Sequence, residues 1–188
     1  MSDPGSHVVA ITDPGTPLEK FGNDHGFLKI FLNPSDIGGR YSALSCFGLV
    51  PAALLGMNID RLLQRAEEMV SKCGPDMPLD KNPGYGLGEF LGEFGVQSRD
   101  KLTILADSPI KSFGLWLEQL VAESTGKETR GLVPMIGEST GIPGFYGGER
   151  MFVYLRIKGI PGEDYMEGFV SELREAAFPV FELWHEEQ

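Results

Sequence analysis

The sequence lacks the residues that mark several large classes of protein. It has only two cysteines, Cys46 and Cys73, so a disulfide framework is not expected and a reducing compartment is the simplest setting. No apolar run approaches the roughly 20 residues that cross a bilayer. The first residues show no charged region followed by an apolar stretch, as a secretory signal would. We therefore expect a cytoplasmic protein without a membrane partner.

Positive charge is also scarce. The chain has 16 Lys and Arg against 27 Asp and Glu, which gives a net charge of −11. Nucleic acids and anionic membranes bind to basic surfaces, so neither is expected as a partner. A small phosphorylated substrate remains possible, because a few local donors hold such a ligand whatever the total charge. In so acidic a chain, cationic residues in loops become more interesting.

The sequence gives no sign of a metal or a nucleotide cofactor. The three histidines, His7, His25 and His185, are scattered and lack metal-ligand spacing. The glycine-rich stretch 84–88 follows no strand, and Glu89 stands where the third glycine of a dinucleotide fingerprint belongs. We therefore expect no cofactor.

Short apolar runs alternate with amphipathic segments along the chain. The runs rich in β-branched residues predict strands at 7–12, 27–32, 101–107, 132–136, 151–157 and 179–184. Helices are predicted at 16–24, 42–56, 59–73, 87–94, 113–121 and 165–177, most clearly by apolar spacing of three and four at 59–73 and 113–121. The helix at 42–56 is apolar and should be buried despite Pro51, and Asp60 stands near the N-cap of the next helix. This alternation favours parallel sheets covered on both faces.

The composition changes between residues 74 and 100, where glycine and proline accumulate. We interpret 74–100 as a connector between two sheets. Only two strands precede it, and such a sheet is too small to stand alone.

The first candidate site is the loop Ile37–Ser42, which follows a predicted strand. Paired Gly38 and Gly39 would let the backbone approach a ligand closely. Arg40 offers a planar fork of donors to a phosphate or an enediolate oxygen. The alternative is a tight turn whose arginine makes an ion pair at the surface, because Gly-Gly-Arg by itself is a short and weak pattern.

The second candidate site is Ala122–Lys127, which we expect to be a loop at the end of the helix 113–121. Partial desolvation and the negative end of the helix would both raise the pKa of Glu123, as suits a general base. The alternative is a solvated helix end, capped by Gly126, with Lys127 favouring the helix dipole.

Two motifs carry a resemblance to a known family. Residues 35–49, SDIGGRYSALSCFGL, closely resemble the phosphoglucose isomerase signature, and 122–127, AESTGK, are similar to the Gly-Glu-Ser-x-Gly-Lys stretch of bacterial members. The resemblance runs from about Val8 to Glu186. In detail, including 112–128 and 152–156, the chain is most similar to the isomerase half of bifunctional transaldolase/phosphoglucose isomerase proteins, which raises the expectation of a fusion to transaldolase.

The resemblance implies an α/β fold with two sugar-isomerase (SIS) domains, each a doubly wound parallel sheet and each incomplete here. Residues 1–73 would be the C-terminal part of the first domain, 74–100 the connector, and 101–188 the N-terminal part of the second. The implied reaction, in glycolysis and gluconeogenesis, interconverts glucose 6-phosphate and fructose 6-phosphate through a cis-enediolate. The full-length family would form a homodimer.

The resemblance also assigns roles to particular residues. Arg40 would stabilise the enediolate, and Glu123 would be the base that moves the proton between C1 and C2. Four further motif positions would lie along the sugar phosphate substrate, with no chemical step assigned to them: Gly38, Gly39, Ser124 and Lys127.

The sequence departs from the family pattern in several places. Ala122 replaces a glycine, no Ser-x-x-Thr-Thr phosphate loop precedes Ile37, and residues 141–150 lack the ring-opening histidine. A lysine-bearing segment would be expected after Gln188. We therefore expect an internal fragment that is inactive alone. A non-catalytic sugar-phosphate-binding module and a structural remnant that pairs with a partner chain remain alternatives.

Overall fold

The computed structural model describes residues 4–158 and 164–186, and the chain divides into two compact units, residues 1–72 and 73–188. In the described part, helices alternate with parallel strands, which confirms the α/β class. Across the same residues, no helix has both the length and the apolar character needed to cross a membrane.

The first unit is built on a two-stranded parallel sheet. Strands β1 (Val9–Thr12) and β2 (Lys29–Leu32) pair with Val9 opposite Lys29. Helix α1 (Pro17–Asp24) connects them and begins at Thr16, whose side-chain oxygen accepts a hydrogen bond from the Glu19 N–H at 3.3 Å. A short 3-10 helix and two α-helices follow: Gly39–Leu44, α2 (Cys46–Leu54) and α3 (Ile59–Lys72).

The expectation of a long buried helix at 42–56 was wrong. Ser45 caps α2 by accepting the N–H of Phe47 at 3.3 Å, so the α-helix begins only at Cys46. No residue of α2 is buried, and Leu54 is 78% exposed. Two strands of four residues each provide too little surface to cover this helix.

The start of α3 also differs from the prediction. The side chain of Asn58, rather than that of Asp60, accepts the N–H of Arg61 at 2.9 Å. Asp60 lies inside the first turn, where its charge favours the positive end of the helix.

The second unit has a four-stranded parallel sheet in the order β4-β3-β5-β6. Its strands are β3 (Lys101–Ala106), β4 (Val133–Ile136), β5 (Arg150–Lys158) and β6 (Val180–Glu186). Its helices are α4 (Pro83–Val96), α5 (Phe113–Thr125) and α6 (Asp164–Glu175). The segment interpreted as a connector, 74–100, therefore contains α4, and this helix packs on the second sheet through Leu87, Phe90, Leu91 and Phe94.

The core of the second unit is centred on β5. Phe152 and Tyr154 point to the face covered by α6, where they pack with Phe169 and Leu173. The opposite face of the sheet carries Met151 and Val153 of β5 and Leu102 and Ile104 of β3, which pack against α4 and α5. The sheet is therefore covered on both faces, as a doubly wound arrangement requires.

A buried hydrogen-bonded pair ties the end of β3 to β5. The two carboxylate oxygens of Asp107 accept hydrogen bonds from the Tyr154 hydroxyl at 2.6 Å and from the Ile157 N–H at 2.8 Å. Burial, reinforced by the hydrogen bond to Asp107, raises the pKa of Tyr154 well above its usual value, so the hydroxyl keeps its proton and remains a donor.

Replacing Tyr154 by Phe should lower the free energy of unfolding by about 1–3 kcal/mol, because a buried Asp107 oxygen loses its donor. Both tryptophans, Trp116 and Trp184, lie in the second unit, so their fluorescence in urea reports its unfolding. Tyr85→Phe, on the exposed side of α4, is the matched control and should change stability by less than about 0.5 kcal/mol. Equal effects of the two substitutions would contradict the stabilising role of the pair.

Candidate functional site

Arg40 lies in the 3-10 helix that follows the carboxyl end of β2. At the start of this helix, the N–H of Tyr41 donates a hydrogen bond to the carbonyl of Gly38 at 2.9 Å. The Arg40 guanidinium lies over the Tyr41 ring, 5.8 Å from its centroid, and the side chain is half-buried. Arg40 therefore has a defined position in the first unit.

The small residues of this motif shape the backbone beside Arg40. The Ser42 hydroxyl donates to the Gly39 carbonyl at 2.7 Å, and the Ser45 hydroxyl donates to the Ser42 carbonyl at 2.8 Å. A Cβ on Gly48 would lie 2.1 Å from the Ala43 carbonyl oxygen, so only glycine fits where α2 folds back on the 3-10 helix. These residues hold the segment in place.

Gly38 and Gly39 differ from Gly48, because the fold of this chain does not require them to be glycine. A Cβ on Gly39 would meet nothing within 4 Å, and one on Gly38 would only touch the Tyr41 ring at 4.0 Å. The φ of Gly38 is −68°, which any residue adopts. Their lack of side chains leaves the backbone beside Arg40 open to a ligand.

Glu123 lies in the last turn of α5, because this helix continues to Thr125. The prediction that 122–127 forms a loop after the helix was therefore wrong for residues 122–125. The Gln119 amide donates to the Glu123 carboxylate at 3.1 Å, and the Lys127 ammonium donates to the Glu123 carbonyl at 3.2 Å. Lys127 thus satisfies a carbonyl at the negative end of the helix.

The environment of Glu123 is more open than we expected. Glu123, Ser124 and Lys127 are all exposed in the chain, so burial does not desolvate the carboxylate here. The three side chains belong to one helix end. Arg40, Gly38 and Gly39 belong to the other unit.

The topology places Glu123 at the edge of the sheet where the strands begin. Helix α5 carries the chain from the carboxyl end of β3 to the amino end of β4, which is parallel to β3. Its last turn therefore lies at the amino ends of the strands. Open parallel sheets usually bind ligands at the opposite edge, where the strands end.

A cavity of about 990 Å³ adjoins this helix end, and we call it the amino-edge cavity. Its walls come from the glycine-rich side of α4, the end of α5 and the chain leading into β3 and β4. The polar residues among those that line it are Ser98, Asp100, Thr125, Thr129 and Arg130. Arg130 was not among the candidate residues predicted from the sequence. Its position, a cationic residue in a loop of an acidic chain, could have identified it.

The turn between α5 and β4 is strained. Lys127 and Arg130 exchange two backbone hydrogen bonds, at 2.9 and 2.8 Å, around Glu128 and Thr129. The φ angles of these two central residues are 49° and 65°, as in the turn type that normally uses Asn-Gly. Positive φ is uncommon for Glu and costly for a β-branched threonine. Such strain is typical of functional sites.

The motifs lie within a long family match. The model for the family described as phosphoglucose isomerase matches residues 2–148, which include both Arg40 and Glu123. The chain belongs to the phosphoglucose isomerase family.

Curated relatives agree with this assignment. The chain is 30% identical over 181 residues to a glucose-6-phosphate isomerase of Thermosynechococcus vestitus, which covers 94% of this chain and 34% of the relative. It is 36% identical over 134 residues to a probable glucose-6-phosphate isomerase of Haloarcula marismortui, covering 68% of this chain and 29% of the relative. The chain thus spans about a third of the length of these relatives.

A solved structure supports the fold. A hypothetical protein from Thermus thermophilus superposes with a TM-score of 0.83, at 23% identity, over 96% of this chain and 52% of the other. At this identity, the likeness shows a shared fold.

Replacing Glu128-Thr129 by Asn-Gly should raise the free energy of unfolding by about 1–2 kcal/mol, because both residues then adopt positive φ readily. Urea unfolding followed by tryptophan fluorescence measures the change. Thr129→Ala keeps a side chain at positive φ, so it should recover only a small part of the gain. A double variant no more stable than the parent would show that the turn is not strained.

Proposed function

We propose that this chain supplies the enediolate-handling residues of a glucose-6-phosphate isomerase. The observation that carries the proposal is the family match across 2–148, which contains the Gly-Gly-Arg motif and the Glu-Ser-Thr-Gly-Lys motif in family order. The reaction moves a proton between C1 and C2 of the open-chain sugar phosphate. It therefore needs one base and one fixed positive group at the developing oxyanion.

Arg40 is proposed as the positive group. An arginine stays charged at any physiological pH, and its planar fork can donate two hydrogen bonds to adjacent oxygens. The half-buried position and the contact with the Tyr41 ring limit the motion of the guanidinium. The open backbone at Gly38 and Gly39 supports this assignment, because it leaves space for the sugar beside the guanidinium.

Glu123 is proposed as the base. Its carboxylate already accepts a hydrogen bond from Gln119, which fixes the orientation of the side chain at the end of the helix. It lies in the last turn of α5, where Lys127 donates to the Glu123 carbonyl. Bound substrate would remove water from this exposed carboxylate and so strengthen it as a base.

The chain spans about a third of its relatives, so catalysis by the 188 residues alone is a separate question from the roles of Arg40 and Glu123. A chimera separates these two questions. In the chimera, this chain replaces the 181-residue aligned segment of the Thermosynechococcus vestitus isomerase. The cytoplasmic location, the homodimer and the transaldolase fusion stay predictions.

Glu123→Gln in the active chimera should lower kcat for fructose 6-phosphate formation by about 10²–10⁴-fold, because the proton loses its acceptor. A coupled spectrophotometric assay measures the rate. Glu118→Gln is the matched control on the same helix and should leave kcat unchanged. Activity that survives Glu123→Gln would contradict the assignment of the base.

Arg40→Gln in the same chimera should lower kcat by about 10²–10³-fold, as expected for loss of charge at an oxyanion. KM should change much less, since the proposed interaction forms mainly with the enediolate. The control is Arg65→Gln on α3. A rise in KM with an unchanged kcat would show instead that Arg40 only binds the substrate.

A further inference from the structure

The second unit has another cavity, at the opposite edge of the sheet from Glu123. We call it the carboxyl-edge cavity. It has a volume of about 410 Å³ and lies beyond the ends of β3 and β4, beside the first turns of α5 and α6. Neither the Gly-Gly-Arg motif nor the Glu123 motif contributes to its walls.

The position of this cavity follows from the strand order. β3 and β5 are neighbours, yet the helices that follow them cover opposite faces of the sheet. Helix α5 packs on the face that carries Leu102, whereas α6 packs on the face that carries Phe152. Open parallel sheets bind ligands in the crevice formed where two such connections diverge.

Two glycines shape the walls of the cavity. A Cβ on Gly114 would lie 2.5 Å from Cγ2 of Ile136, so only glycine lets the start of α5 approach the end of β4 this closely. Gly137 follows β4 with a φ of 67°, which turns the chain back over the edge of the sheet. This turn brings Ser139 and Thr140 into the wall.

The polar groups of the cavity favour an anion. Within the described residues, the Lys111 ammonium has no ion-pair partner, and the Ser139 and Thr140 hydroxyls make no hydrogen bond. The Glu138 carboxylate, in contrast, is neutralised by Arg150, whose guanidinium donates two hydrogen bonds to it, at 2.7 and 3.1 Å.

A second carboxylate close to this edge is also engaged. Both oxygens of Asp107 accept hydrogen bonds, from the Tyr154 hydroxyl and the Ile157 N–H. Lys111 and Gly114, at the start of α5, both line the cavity, and the N–H of Gly114 already donates to the Lys111 carbonyl at 3.1 Å. The Lys111 ammonium and the two hydroxyls together offer donors to a phosphate group.

We propose that the carboxyl-edge cavity binds a small phosphate ester. Lys111, Ser139 and Thr140 hold the phosphate, and the carbon skeleton lies against Tyr165 and the apolar wall of Leu105. The volume falls within the range of about 300–1,000 Å³ typical of small-molecule sites. This site is separate from the proposed isomerase residues, so an isomerase of this kind could bind a second phosphorylated metabolite.

The test is a titration of the full ¹⁵N-labelled chain with glycerol 3-phosphate, followed by NMR, with glycerol as the uncharged control. We expect saturable shifts at the amides of Gly137, Ser139 and Thr140 with the phosphate ester and none with glycerol. Lys111→Gln should weaken this binding by about tenfold or more. Lys101→Gln removes the same charge at the other end of β3 and should leave binding unchanged.

Ser139→Ala gives a second, independent variant and should also weaken binding. Absence of saturable shifts at these amides, or equal weakening by Lys111→Gln and Lys101→Gln, would overturn the proposal. Shifts confined to the surroundings of Arg40 would overturn it too, while supporting the isomerase site. Glu123→Gln should lower kcat in the chimera by about 10²–10⁴-fold without moving the phosphate-ester shifts in the chain, so the two proposals fail separately.

Discussion

The second unit depends on the burial of residues 151–154 in β5. Met151 and Phe152 are fully buried and Tyr154 is 1% exposed, so consecutive side chains of one strand fill the cores on both faces of the sheet. A buried stretch of a parallel strand is apolar and needs helices on both faces of the sheet. The position of β5 between β3 and β6, the packing of α4 and α5 on one face and the packing of α6 on the other meet that requirement.

Most of the fold could be predicted from the sequence, because the strands are continuous apolar runs and the helices are amphipathic. The six expected strands form in the described residues, with shifted ends. The errors arose where tertiary context decides. Whether α2 is buried depends on how much sheet is present, which Ser42–Gly56 cannot reveal. The end of α5 was placed too early because Glu123, Ser124 and Thr125 are polar, although the Thr125 hydroxyl bonds the Val121 carbonyl within the helix.

The candidate sites, like the fold, were partly predictable from the sequence and partly decided by tertiary context. Arg40 and Glu123 could be found because they stand in specific motifs. The edge of the sheet at which Glu123 lies follows from the direction of α5, and hence from strand order, which local spacing does not encode. Arg130 and the strained residues Glu128 and Thr129 became visible only as φ angles and cavity walls. Lys111, Ser139 and Thr140 are brought together from segments about 30 residues apart by parallel pairing of β3 with β4.

The two units differ greatly in how much apolar surface they bury. In the described residues of the first unit, Ala10 is the only apolar side chain that is buried. Leu54, Leu55 and Val70, in contrast, are more than two-thirds exposed. Covering one such side chain is worth about 1.5–3 kcal/mol. By mass action, any surface that covers these residues stabilises the first unit in proportion to the logarithm of its concentration. The melting temperature of this unit therefore depends on what covers these residues as well as on its own sequence.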